Sequence, residues 1–324
     1  MKLLFDKIRH FLRILYRRYW ERPLNQLHCY DYVSQNNGWE KYGCSPVLGN
    51  SMIGVLYDPY VFLSKNGYNM VVSSRKNGSL LLFESKDGIR WDEERQILTG
   101  DENSWDCFVD RACLLIHKGV YYLWYSGQRD GVSCIGLAKS VDGVSFCRVQ
   151  VDPVLKSDSP QEGVSVMNPC VLWDDAESLF KMWYSAGDTY EPDVICYAES
   201  TDGISWKKHK APVLSKCLEH AWEKYKVGGC CVLKNNDGMY EIYYIGYQNL
   251  DVARICVAHS KDGVCWTRDE DNLLLSPSKN AWDSDAVYKP SVLNCGGRMY
   301  LWYNGRRSCE EYIGLAIKEL KNEM

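Results

Sequence analysis

The chain is 324 residues long, and its 38 Lys and Arg against 42 Asp and Glu leave a net charge of −4, which argues against general nucleic-acid binding. Its 15 cysteines show no metal-ligand spacing, its six histidines form no HExxH-like pair, and no secretory signal is visible. The expectation is a cytoplasmic protein with reduced thiols, no metal and no cofactor.

Residues 1–22 place Met1, Leu4, Phe5, Ile8, Phe11, Leu12, Leu15 and Tyr19 at helical spacing, with Lys2, Lys7, Arg9, Arg13, Arg17 and Arg18 opposite and Pro23 ending the pattern. This predicts a basic amphipathic helix, too charged to span a bilayer. It suits an anionic membrane surface at the inner face, or alternatively packing on protein. The expected division is residues 1–30 for this helix and its linker and 31–324 for a single propeller domain.

From residue 34 onward one phrase governs the chain. Ser85-Lys-Asp87-Gly88-Ile-Arg-Trp91 recurs around Asp142-Gly143, Asp202-Gly203 and Asp262-Gly263, the aspartates being 55, 60 and 60 residues apart. Asp-Gly between β-rich runs is a strong hairpin signal, and a repeat of this length holding several short strands is the mark of a propeller blade. Each blade reads as an inner strand, an aromatic strand such as Tyr121-Tyr-Leu-Trp-Tyr125, a third strand, the Asp-Gly turn and a Pro-Val-Leu-like outer strand. The inner strands begin near Asp58, Asp110, Asn168, Gly229 and Lys289, which gives five blades. The fifth ends at Ile317 without the phrase, whereas an orphan copy, Asn37-Gly38-Trp39, stands near the N-terminus. Residues 32–48 are therefore predicted to supply the missing outer strand and close the ring of an all-β five-bladed β-propeller. The Gly-His…Trp-Asp pattern of interaction propellers is absent.

Five blades, Asp58-Pro59 opening the first inner strand, Met182-Trp-Tyr-Ser185 and the Ser-x-Asp-Gly-x-x-Trp turns resemble the five-bladed propeller glycoside hydrolases. That superfamily takes in arabinanases and xylosidases, invertases and levansucrases, and mannoside phosphorylases, with families 43, 32 and 68 among them. The resemblance implies an enzyme that breaks or remakes glycosidic bonds with paired carboxyl groups at the mouth of the central funnel. Asp58 matches the family's nucleophile or base, and Asp110 the aspartate that orients the sugar and tunes the acid. The acid itself falls to Glu162, with Glu223 the second candidate, because Met167 stands where invertases have the glutamate of Glu-Cys-Pro. Asn168, Glu223 and the cations Arg75, Arg111, Lys224, Lys289 and Arg306 are expected to bind substrate. Forked cations suit a phosphorylated, acidic or nucleotide-activated sugar, plausibly a furanoside unit of a cell-surface polysaccharide. The alternative is a non-catalytic carbohydrate-binding or scaffold propeller.

Overall fold

The computed structural model describes residues 37–50, 53–189 and 192–320. Five four-stranded antiparallel sheets surround a central axis. Blade one is β2 (Leu56–Ser64), β3 (Gly67–Ser74), β4 (Ser79–Ser85) and β5 (Arg95–Thr99). Blade two is β6 (Phe108–His117), β7 (Val120–Arg129), β8 (Val132–Ser140) and β9 (Cys147–Arg148). Blade three is β10 (Ser165–Asp174), β11 (Leu179–Gly187), β12 (Val194–Ser200) and β13 (Lys207–Lys208). Blade four is β14 (Lys226–Lys234), β15 (Tyr240–Tyr247), β16 (Ala253–Ser260) and β17 (Leu273–Leu275). Blade five joins β18 (Ala286–Cys295), β19 (Arg298–Arg307) and β20 (Glu310–Glu319) to β1 (Glu40–Lys41) from the other end of the chain. Glu40 lies opposite Ile317, Lys41 opposite Ala316, and Leu48 bridges to Ile313, so the predicted closure is present.

The recurring phrase is a latch between blades. In each copy the serine hydroxyl accepts from the glycine amide, and the aspartate accepts from the next two amides, as Asp87 does from Ile89 and Arg90 at 2.8 Å. The glycine takes a left-handed φ of 74–77°, which a side chain resists. In three of the copies its carbonyl then accepts the indole N–H of the preceding blade's aromatic strand: Trp302 to Gly88 at 2.8 Å, Trp124 to Gly203 at 3.0 Å and Trp183 to Gly263 at 2.7 Å. A Cβ on Gly88 would also press within 2.9 Å of the Trp302 ring. Blade four carries Tyr243 in place of tryptophan, and Trp39 from the orphan copy meets its ring edge-on at 6.4 Å. Trp124, Trp183 and Trp302 are wholly buried, which makes these seams the main apolar cores of the ring.

Among the described residues no helix is long and apolar enough to cross a membrane. All described cysteines are free thiols. The amphipathic helix expected over residues 1–22 lies outside the described residues.

Candidate active site

Every inner strand breaks its pairing with the aromatic strand near its start, and the break holds one residue at positive φ. These residues are Asp58 (52°), Arg111 (53°), Asn168 (53°), Gly229 (45°) and Lys289 (33°). Such bulges re-aim side chains toward the axis, and a non-glycine residue at positive φ needs support. Serines of the neighbouring blade supply it: Ser73, Ser126 and Ser185 accept from the amides of Arg111, Asn168 and Gly229 at 2.8–3.0 Å.

This register corrects the expected ring in blade two. Arg111, not Asp110, is equivalent to Asp58; Asp110 stands one residue earlier, with Tyr57, Met167, Gly228 and Tyr288. Proline follows the ring residue at positions 59, 169 and 290, but blade two has Ala112 there. Without the proline the sequence offered no marker, and the aspartate drew the alignment to itself.

The one-residue shift brings the two acids together. Arg111 Nε lies 3.3 Å from Asp58 Oδ2 and 3.5 Å from Asp110 Oδ2. Both oxygens thus fall within about 7 Å of each other, a span in which two carboxyl groups bracket an anomeric carbon. Asp110 Oδ2 also accepts from Gln128 Nε2 at 2.7 Å and from the Tyr57 hydroxyl at 3.2 Å. Asp110 Oδ1 is buried with no partner. Burial pushes the Asp110 carboxyl up to about 6 against the pull of Arg111, with the Asp58 charge adding to the rise. Burial raises Asp58 as well, opposed by Arg111, Lys289 and Arg75. Asp110 therefore keeps its proton to a higher pH than an ordinary carboxyl does.

Around the pair stand cations and amides. Arg75 lies over the Tyr57 ring at 5.2 Å and pairs with Glu311 at 3.3 Å. Glu311 also accepts from Asn304 Nδ2 at 3.1 Å, and burial raises its carboxyl. Arg306 donates to the Asp251 carbonyl at 2.6 Å and lies over Tyr288. Lys289 is buried and donates to the Cys230 carbonyl at 2.7 Å, below the mouth but close enough to act on Asp58. Asn168 Oδ1 is buried without a partner. Tyr57, Gln128 and Glu311 were not anticipated. Gln128 was within reach, because it ends its aromatic strand where Arg75 and Arg306 end theirs.

Glu162 and Glu223 are elsewhere. Glu162 closes a single 3₁₀ turn, Pro160–Glu162, where its Oε2 accepts from the amides of Asp158 and Ser159. It takes the Tyr184 hydroxyl at 2.7 Å and Lys208, from the outermost strand β13, at 2.8 Å. Glu223 does the same with Tyr244 and Arg268, both at 2.9 Å. Asp106 with Tyr125 and Arg148, and Asp283 with Tyr303 and Lys41, complete the set. These are peripheral clamps between a blade's second and outer strands, and the structure does not bring Glu162 or Glu223 to the Asp58–Asp110 pair. Lys224 is exposed beside the clamp. Among the described residues no group of His, Cys, Asp or Glu is placed to hold a metal ion.

Comparison with known proteins agrees with the fold. The family described as beta-1,4-mannooligosaccharide phosphorylase (glycosyl hydrolase family 130) matches residues 109–289, and the glycosyl hydrolase family 32 N-terminal domain matches residues 7–110. An uncharacterized protein of Mycobacterium tuberculosis is 27% identical over 228 residues, 66% of this chain and 72% of that protein. A beta-1,2-mannobiose phosphorylase of Thermoanaerobacter sp. is 26% identical over 239 residues, 58% of this chain and 78% of that enzyme. Among solved structures, a glycoside hydrolase superposes with a TM-score of 0.73 at 21% identity, covering 94% of this chain and 96% of that one. An exo-1,5-alpha-L-arabinanase from a bovine ruminal metagenomic library gives 0.65 at 14% identity, covering 86% and 95%. These likenesses carry the fold. With more than half of its length matched by one family, this chain belongs to glycosyl hydrolase family 130 and is a glycoside-processing enzyme of the hydrolase and phosphorylase type.

Proposed function

We propose that the enzyme cleaves a mannoside by transfer to inorganic phosphate, with Asp110 as general acid. The observation that carries this reading is the unpartnered, buried Oδ1 of Asp110, whose carboxyl burial pushes up to about 6. Asp110 gives that proton to the glycosidic oxygen as the bond to the anomeric carbon breaks. A phosphate oxygen forms the new bond, leaving a free sugar, a sugar 1-phosphate and an ionised Asp110. Phosphate needs cations rather than a base, and Arg111, Arg75, Lys289 and Arg306 are the candidates to hold it. Asp58, tied to the same Arg111, is assigned to the sugar hydroxyls. The relatives' names favour a mannoside over the furanoside expected from the sequence.

The test is product analysis with β-1,2- and β-1,4-mannobiose, with and without phosphate. Phosphate-dependent appearance of mannose 1-phosphate supports the reading. Free mannose at the same rate without phosphate would make the enzyme a hydrolase, with Asp58 restored as base. Binding without turnover would favour a sugar-binding propeller. Attachment of residues 1–22 to an anionic inner membrane face remains part of the proposal, on charge pattern alone. Its check is salt-sensitive sedimentation with anionic liposomes, lost on deleting those residues.

A further inference from the structure

We infer that Gln128, assisted by Tyr57, is a positioning residue that decides which oxygen of Asp110 carries the catalytic proton; this rests on the general-acid reading above. Gln128 Nε2 donates to Asp110 Oδ2 at 2.7 Å, the Tyr57 hydroxyl reaches the same oxygen at 3.2 Å, and Arg111 Nε approaches it at 3.5 Å. An oxygen that receives three donors is the acceptor oxygen of the acid. The proton is therefore excluded from Oδ2 and left on Oδ1, which has no protein partner to hold it back. The amide presents its N–H₂ to Oδ2. Gln128 sits at the end of β7, where the thiol of Cys107 donates to its carbonyl at 3.1 Å. A rigid strand end thus fixes the amide.

The choice of a neutral donor is itself informative. The equivalent strand ends of blades one and five carry Arg75 and Arg306. A second arginine, added to Arg111 at 3.5 Å, would push Asp110 further toward the ionised carboxylate. Glutamine orients the carboxyl and leaves it protonatable.

The experiment compares Gln128→Met and Gln128→Arg with wild type. The rates of β-1,2-mannobiose phosphorolysis and of 2,4-dinitrophenyl β-mannoside cleavage are followed across pH, with inorganic phosphate present. Removing the donor should move the alkaline limb of kcat/KM up by about one pH unit, and placing a cation there should move it down. Mannobiose turnover should drop at least tenfold in both variants, while the dinitrophenyl substrate, whose leaving group needs no proton, should be nearly spared. If Gln128→Met does not fold, Tyr57→Phe reads the same limb with a smaller shift. The pH at which thermal stability declines should move in parallel and needs no substrate. Unmoved limbs with equal losses on both substrates would reduce Gln128 to a packing residue. Asp110→Asn separates the two ideas. If it is inactive on mannobiose while the Gln128 limbs stay put, only the positioning role fails; if it retains wild-type turnover, the general acid and its positioning fall together.

Discussion

Two sets of buried acids occupy this propeller, and they obey different rules. At the periphery Asp106, Glu162, Glu223 and Asp283 each take a tyrosine hydroxyl from the second strand and a cation from the outer strand or, for Arg268, the segment leading to it, in four of the five blades. At the axis Asp58 and Asp110 share one arginine, and one oxygen of Asp110 has no partner at all. A repeated acid with dedicated partners is held for the fold. An acid that breaks the repeat is held for chemistry; an unpartnered oxygen is not by itself the mark, since the clamp acid Asp106 has one too. In a repeat protein, asymmetry is therefore a better guide to function than burial or charge.

The comparison is broken most directly by neutralising one member of each set. Asp110→Asn should lower turnover of an unactivated glycoside by about 10²–10⁴ with the ring still folded. A drop of less than tenfold would remove the distinction. Glu162→Gln should do the converse. It leaves Tyr184 and Lys208 without their charged partner, though Lys208 keeps Asp158 at 2.9 Å. The expected loss is about 3 kcal/mol of stability, at the low end for a broken buried pair, with kcat per folded molecule unchanged. Loss of kcat in a stable Glu162→Gln protein would return this residue to the candidate acids.

A pH series sharpens the contrast. Folding raises Asp110 from its ordinary 3.8 to about 6, so the native state binds this proton more tightly than the unfolded chain. The stability it confers is complete below about pH 4 and is lost as pH rises through about 6, a difference of up to about 3 kcal/mol. Asp110→Asn should accordingly gain on wild type at pH 7 but not at pH 4, as read by denaturant midpoints. The smallest expected effect lies in the latches. Trp302→Phe leaves the buried Gly88 carbonyl unmade and should cost about 1–3 kcal/mol. Trp206, whose buried indole N–H has no partner, should cost less on the same change.

The sequence made the fold legible because each seam needs the same few residues. Asp-Gly must cap and turn, and a tryptophan must reach the glycine carbonyl, so the repeat is written in the residues that make it. The orphan Asn37-Gly38-Trp39 was readable for the same reason. The site was only partly legible. Asp58 and Arg111 could be located from strand starts, but bulges shift side chains without altering composition, and Asp110 was read one position out of register. Glu162 attracted attention as an isolated acid near blade three. Its clamp is formed by Tyr184 and Lys208, 22 and 46 residues away, and such pairing has no local signature.

The closing strand has a consequence for how the molecule is made. Of the strands described, β1 is made first and its partner β20 last. Throughout translation the closing strand has no edge to join, and the edge of β20 exists only at the end. Joining Glu40 to Ile317, 277 residues further on, carries a high loop-closure cost, so folding is expected to be slow, with the seam between blades four, five and one annealing last. Until then an unpaired strand edge is open to other chains, and nascent propellers at high concentration are expected to exchange their first strands before they learn to close on themselves.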